Sequence, residues 1–270
     1  LTIARCDTEL PEEEVAQLAE IRSELEPYRS TGLTEKNRTL VRQILQPDTW
    51  TDVLDLPSRL MAQARADRRT APEKAAITAQ MAVAIRILTF APVRMQNLAS
   101  IVIGQNLVRP GRPGTGFLLT FPDHDVKNRV PLEFPLDEET TRLIDTYIHD
   151  HRPYLMRGRN HDCLFPGEDH DQKGSQTLGE QITQRLWKAI GLKITPHQFR
   201  HAAAAIVLRK HPGNYELVRR ILGHRNLATT TAFYIGLESV EATRQFGEIL
   251  REDEGRLRSP SRAKGKGGRL

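Results

Sequence analysis

The sequence predicts a mainly helical α+β fold with one small three-stranded antiparallel sheet. Three observations carry this. Along most of the 270 residues, apolar positions recur every three to four residues, the period of a helix with one buried face. Within 101–136 that period gives way to three short runs, 101–108, 116–122 and 129–136, bounded by Gly, Pro and Asp-rich turns. A composition of 39% hydrophobic and 27% charged residues is ordinary for a globular chain of one large or two small domains.

Residues 11–28 open on Glu12, Glu13 and Glu14, with Val15, Leu18, Ile21 and Leu25 following at helical spacing. Acids at the start suit the positive end of the helix dipole. Thr34 and the run to Leu45 make a second helix that stops before Pro47. Residues 48–69 are expected to hold a turn and then a helix from about Pro57. Pro72 opens a long apolar helix to Phe90, which Pro92 ends. Gln80 and Arg86 interrupt its apolar run, so a central buried helix is expected and not a membrane span. Arg94 stands between that helix and a short one over 95–101. A cation among apolar helices requires either several carbonyl acceptors or an anion, and both readings are open at this point.

In the strand window, 123–128 joins the last two runs and puts Lys127 at or near a hairpin tip, where a solvated lysine is the ordinary expectation. Asp137 can cap a helix over 138–151. His149, His151, His161 and His170 lie near Asp150, Asp162, Cys163 and Asp169, at spacings that match no strong zinc-ligand pattern. Residues 177–190 form an amphipathic helix with Leu178, Ile182 and Leu186 as its stripe. Residues 238–254 form another, with Val240, Phe246, Ile249 and Leu250. From Arg256 to Leu270 there are six basic residues and no acid, a flexible cationic tail.

The net charge of +5 favours a polyanionic partner weakly; where the charge sits says more. Cys6 and Cys163 are far apart and form neither a disulfide framework nor a ligand cluster, which suits a reducing cytoplasm. No signal peptide is visible, and a chain that opens on Leu1 reads as a fragment of a longer protein.

The densest chemistry lies in 195–234. Thr195 is an N-cap candidate and Pro196 suits the first helical position. A helix from there puts His197 and Arg200 on one face, with Phe199, Ala202, Ala203, Ile206 and Val207 as its core side. His211, Pro212 and Gly213 end it; Asn214 caps a second helix from Tyr215 to Leu222. Gly223 falls where a left-handed C-terminal turn is wanted, so His224 emerges just past a helix end, and Tyr234 ends a third short helix. Between Lys193 and Ile235 there are seven Lys or Arg and one acid, Glu216. A cationic surface beside a hydroxyl nucleophile has a phosphodiester as its natural substrate.

His197-x-x-Arg200, Leu222-Gly223-His224, and Thr229-Thr230 before Tyr234 together resemble the tyrosine recombinase, or phage integrase, family in residue type, order and spacing. The resemblance implies that family's catalytic-domain fold and a site of Arg94, Lys127, His197, Arg200, His224 and Tyr234. Arg94 enters because the family carries its first catalytic Arg after an apolar helix and before a short one. Here Ala91-Pro92-Val93 stands where Thr-Gly-Leu is frequent, and Asn97 where an acid is frequent. Lys127 enters because Val126-Lys127-Asn128-Arg129 is similar to the family's hairpin string, with Arg129 the competitor.

Two guanidinium groups would grip a phosphate and stabilise its growing charge, and the two histidines would donate hydrogen bonds or help remove the tyrosine proton. Lys127 would protonate the leaving 5′-oxygen. The implied reaction is transesterification through a 3′-phosphotyrosyl bond, needing neither ATP nor a metal. Double-stranded DNA, a homotetramer on DNA and a cytoplasmic location are implied; no membrane is. Residues 1–30 would be the tail of an N-terminal DNA-binding domain or a linker, 31–254 the catalytic domain and 255–270 the basic tail. The last amphipathic helix either docks on a neighbouring protomer, as in many members, or packs on its own domain. A type IB topoisomerase-like nicking-resealing enzyme and a non-catalytic helical DNA-binding protein are the alternatives.

Overall fold

A computed structural model of the chain describes residues 10–25, 32–111, 116–237 and 239–258. Cys6, most of the expected linker around 26–30 and the cationic tail from 259 onward lie outside the described residues. The helices are α1 (Glu12–Leu25), α2 (Glu35–Ile44), α3 (Pro47–Asp67), α4 (Pro72–Phe90) and α5 (Met95–Ala99) before the sheet. After it come α6 (Glu138–Thr146), α7 (Arg152–Met156), α8 (Ser175–Ile190), α9 (Pro196–Lys210), α10 (Tyr215–Leu222), α11 (Leu227–Tyr234) and α12 (Ser239–Arg258). A π-helical turn, Tyr147–His151, joins α6 to α7.

Short polar residues start several of these helices as the sequence predicts. Thr34 accepts from Asn37 N, Asp137 from Thr140 N, and Asn214 from Leu217 N. The expectation that fails is the break at Pro57. Pro57 lies inside α3, which runs unbroken from Pro47. An internal proline costs about 3 kcal/mol. Here Val53, Leu56, Leu60, Met61 and Ala64 are all buried against the core, and that burial outweighs the missing hydrogen bond.

Helix α4 is the axis of the molecule, with buried residues on every side from Ala75 to Leu88. Its two interruptions are used. Arg86 donates from Nε to Thr140 Oγ1 at 2.7 Å and from Nη2 to Glu139 Oε2 at 3.0 Å and Asp137 Oδ2 at 3.2 Å, tying down the start of α6. Gln80 donates to the Tyr147 hydroxyl at 3.2 Å and accepts from the buried Lys173 ammonium. Burial pushes that ammonium down to about 8.

The sheet has the order β1 (Leu107–Val108), β2 (Leu118–Phe121), β3 (Leu132–Pro135), all antiparallel, as expected. Its register pairs Leu107 with Leu119 and Phe121 with Leu132. The first strand is shorter than its sequence window because Asn106 turns the chain, its side chain accepting from Val102 N and donating to Thr120 O.

A second, smaller apolar cluster gathers Leu33, Ala204, Leu208, Val218, Leu222 and Tyr234. On α9 the buried side therefore wraps further than predicted: Phe199, Ala202, Ala204, Ala205 and Leu208 are buried, while Ala203, Ile206 and Val207 are partly covered. Helices α1 and α12 differ from the rest. Leu18, Ile21 and Leu25 on α1 are exposed, as are Phe246, Ile249 and Leu250 on α12. Among the described residues no helix is long and apolar enough to cross a membrane.

Candidate active site

Arg94, Lys127, His197, Arg200, His224 and Tyr234 all line one cavity of about 480 Å³. They come from five places in the fold. Arg94 is the residue just before α5, in extended backbone after the Pro92 break. Lys127 is exposed in the β2–β3 connection, beyond a 3₁₀ turn at Asp123–Asp125. Its competitor Arg129 is not among the lining residues.

His197 and Arg200 lie in the first turns of α9, where Gln198 reaches back to accept from Thr195 N at 2.8 Å. His224 follows Gly223, whose φ of 60° supplies the left-handed turn the sequence predicts. A side chain at 223 would also meet Leu132, since a Cβ there would fall 2.8 Å from Leu132 Cδ2. Tyr234 is the last residue of α11, and Leu33 N donates to the neighbouring Phe233 carbonyl at 3.2 Å.

The two arginines are held differently. Arg200 is 4% exposed and spends two donors on backbone: Nη1 on Pro92 O at 2.5 Å and Nη2 on Leu222 O at 2.6 Å. One guanidinium thus joins the α4–α5 break to the end of α10. Burial, and then the nearby Arg94, hold it down to about 10. Arg94 is partly buried, and its Nη1 is enclosed without a hydrogen-bond partner among the described residues. An enclosed cationic donor with no acceptor is costly on its own and is satisfied by an anion.

The histidines are poised as neutral rings. Burial, then Arg200 and Arg94, lower His197 and bring His224 down to about 4. His224 Nδ1 lies 2.9 Å from Thr230 Oγ1, and that hydroxyl donates to Asn226 O at 3.3 Å. Nδ1 is therefore the donor, which leaves Nε2 as the basic nitrogen. The His224 and Tyr234 rings lie nearly parallel, 8° apart, with centroids 6.3 Å apart. Burial raises the Tyr234 hydroxyl above its usual value, and Arg200 offsets this in part.

Two asparagines that the sequence reading did not single out as site residues hold the Lys127 connection at both ends. Asn97 Nδ2 donates to Asp125 O at 2.9 Å, and Asn128 Nδ2 donates to Gly223 O at 3.0 Å. Asn97 occupies the place where the family often has an acid. His201 is a third omission: its Nδ1 lies 3.1 Å from the Tyr234 hydroxyl. Its position four residues after His197, on the same helical face, was the available signal. Among the described residues, no three His, Cys, Asp or Glu side chains are grouped so as to hold a metal ion.

The phage integrase family matches residues 56–239, about two thirds of the chain, from within α3 to just past α11. The chain belongs to the phage integrase family. Two curated tyrosine recombinases of the XerD type are similar to part of it in sequence. The one from Pseudomonas aeruginosa is 36% identical over 100 residues, 37% of this chain and 33% of that protein. The one from Pseudomonas putida is 29% identical over 150 residues, 55% of this chain and 47% of that protein. The matched segments thus span a third to a half of those relatives. Among solved structures, XerH site-specific recombinase bound to difH substrate, in its pre-cleavage complex, aligns with a TM-score of 0.54 at 18% identity. That alignment covers 78% of this chain and 54% of XerH. The likeness is one of fold: this chain's mainly helical structure with its small antiparallel sheet superposes on the catalytic fold of that recombinase.

Proposed function

We propose that this chain is the catalytic part of a site-specific DNA recombinase, cutting and rejoining duplex DNA through a 3′-phosphotyrosyl bond. The observation that carries this reading is the meeting of two guanidiniums, two neutral imidazoles, an ammonium and a buried phenol around one cavity of about 480 Å³, roomy enough to admit a backbone phosphate. Arg94 and Arg200 bind the non-bridging oxygens and stabilise the charge that builds on them. His224 Nε2 is the acceptor for the Tyr234 proton, and His197 donates to the phosphate. The Tyr234 oxygen bonds to phosphorus as the bond to the 5′-oxygen breaks, and Lys127 delivers the proton to that oxygen. A returning 5′-hydroxyl reverses these steps, so the bond energy is kept and neither ATP nor a metal is called for.

Duplex DNA as partner is supported by the XerH structure, solved with its difH substrate, and by the density of cations over 193–235. In this reading 31–254 is the catalytic unit, 1–30 leads in from a DNA-binding part and 255–270 adds a basic tail. The exposed apolar faces of α12 fit docking on a neighbouring protomer in a tetramer on DNA, in the cytoplasm.

A nicked suicide duplex that loses its 5′ fragment on cleavage tests the reading. The expected result is a covalent protein–DNA band that Tyr234→Phe abolishes and that forms in the presence of a chelator. An adduct that persists in Tyr234→Phe removes Tyr234 from its role.

A further inference from the structure

The Tyr234 hydroxyl makes one hydrogen-bond contact among the described residues, to His201 Nδ1 at 3.1 Å. Both side chains are inside the protein, His201 1% and Tyr234 2% exposed. The imidazole cannot swing away. His197 meets it edge-on at 4.5 Å between centroids, and Phe233 stacks on it at 5.5 Å with 20° between planes. Its Nε2 is enclosed and has no partner among the described residues.

These facts decide which atom carries the proton. If Nδ1 donated to the tyrosine, both the phenolic O–H and the Nε2 lone pair would be left unpaired in the interior. If the tyrosine donates to Nδ1, only the Nε2–H is left over. The second arrangement strands fewer buried polar groups and is therefore the favoured one.

We propose that His201 is the positioning residue of the tyrosine nucleophile: its unprotonated Nδ1 accepts from the Tyr234 hydroxyl and holds that oxygen at the cavity wall until a phosphate arrives. This rests on the recombinase reading above. His201 is not the base. Burial, then His197, Arg200 and His224, bring it down to about 3, while burial raises the tyrosine, so proton transfer between them is strongly uphill. The ring orients the hydroxyl and keeps it protonated; the proton leaves by another acceptor during attack.

The first test uses the wild-type chain without DNA. A long-range proton–nitrogen NMR correlation of the His201 ring reports which nitrogen is protonated. An unprotonated Nδ1 is expected, and a protonated Nδ1 overturns the proposal. The second test compares His201→Phe, which keeps the shape and loses the acceptor, with His201→Asn, whose side-chain oxygen can take the place of Nδ1. Single-turnover adduct formation should slow by about tenfold or more in His201→Phe, as expected when a nucleophile is misaligned. DNA affinity should be unchanged, the Tyr234 ¹³Cζ resonance should shift, and His201→Asn should restore most of the rate. Wild-type cleavage by His201→Phe, or an unmoved resonance, overturns the proposal. Should wild type itself form no adduct, the recombinase reading falls instead, and the ring correlation still decides the contact.

Discussion

Arg94 and Arg200 bring the same charged group into the same cavity from opposite kinds of support. Arg200 is built into the fold: it spans Pro92 O and Leu222 O and is almost wholly buried. Arg94 leans on little, with an enclosed Nη1 that meets no acceptor among the described residues. Two like groups facing one cavity thus have unlike relations to stability. One holds the cavity wall together, whereas the other is destabilising unless an anion meets it.

Removing each in turn gives the largest contrast. Arg200→Ala strands two buried carbonyls and separates the α4–α5 break from α10, at a cost of about 3 kcal/mol in unfolding free energy. It should also abolish the adduct. Arg94→Ala should abolish the adduct just as fully while raising the unfolding free energy, by about 1–3 kcal/mol at most, because it removes an enclosed donor that has no acceptor among the described residues. Equal stability losses in urea titrations of the two variants would break the comparison.

Acid should act next. His197, His201 and His224 all have lowered folded values, through burial first. Above about pH 6.5 they are neutral in folded and unfolded chains alike, and stability is flat. Below it the unfolded chain takes up protons that the folded one refuses, so stability falls by about 1.4 kcal/mol per pH unit per group. The fall ends near pH 4 for His224 and near pH 3 for His201, where the folded protein protonates as well. In Arg94→Ala the slope should be shallower, because Arg94 contributes to the lowering of His197 and His224. Thermal melts between pH 7 and pH 5 measure it.

Gly223→Ala sharpens the Arg200 side of the contrast. The new Cβ sits at φ 60° and against Leu132, so about 1–2 kcal/mol and a displaced His224 are expected. The smallest effect is Asn128→Ala. Loss of its bond to Gly223 O should cost about 1 kcal/mol and slow cleavage more than it weakens binding, because it loosens the Lys127 connection. A pure change in DNA affinity would remove Asn128 from that role.

Much of this was legible in the chain. His197, Arg200, Gly223, His224 and Tyr234 sit at helix starts and ends, where capping chemistry acts over a few residues and leaves a local trace. Pro57 misled because a local penalty was set against burial along the whole of α3, which no window reveals. Gln80 and Arg86 looked like blemishes in an apolar run; their partners Tyr147 and Thr140 are more than fifty positions away. Asn97 and Asn128 are named in the sequence without a partner, and His201 is passed over, for the same reason. Each acts through a contact made only on folding, and an asparagine in a turn or a histidine among alanines has an ordinary explanation until its partner is seen.

The Tyr234 side chain packs with Leu33, Leu208 and Leu222 in the smaller apolar cluster and is 2% exposed. The same residue lines the cavity. An ester formed on its oxygen would therefore stand with hydrocarbon at its back, and little water could reach it from that side.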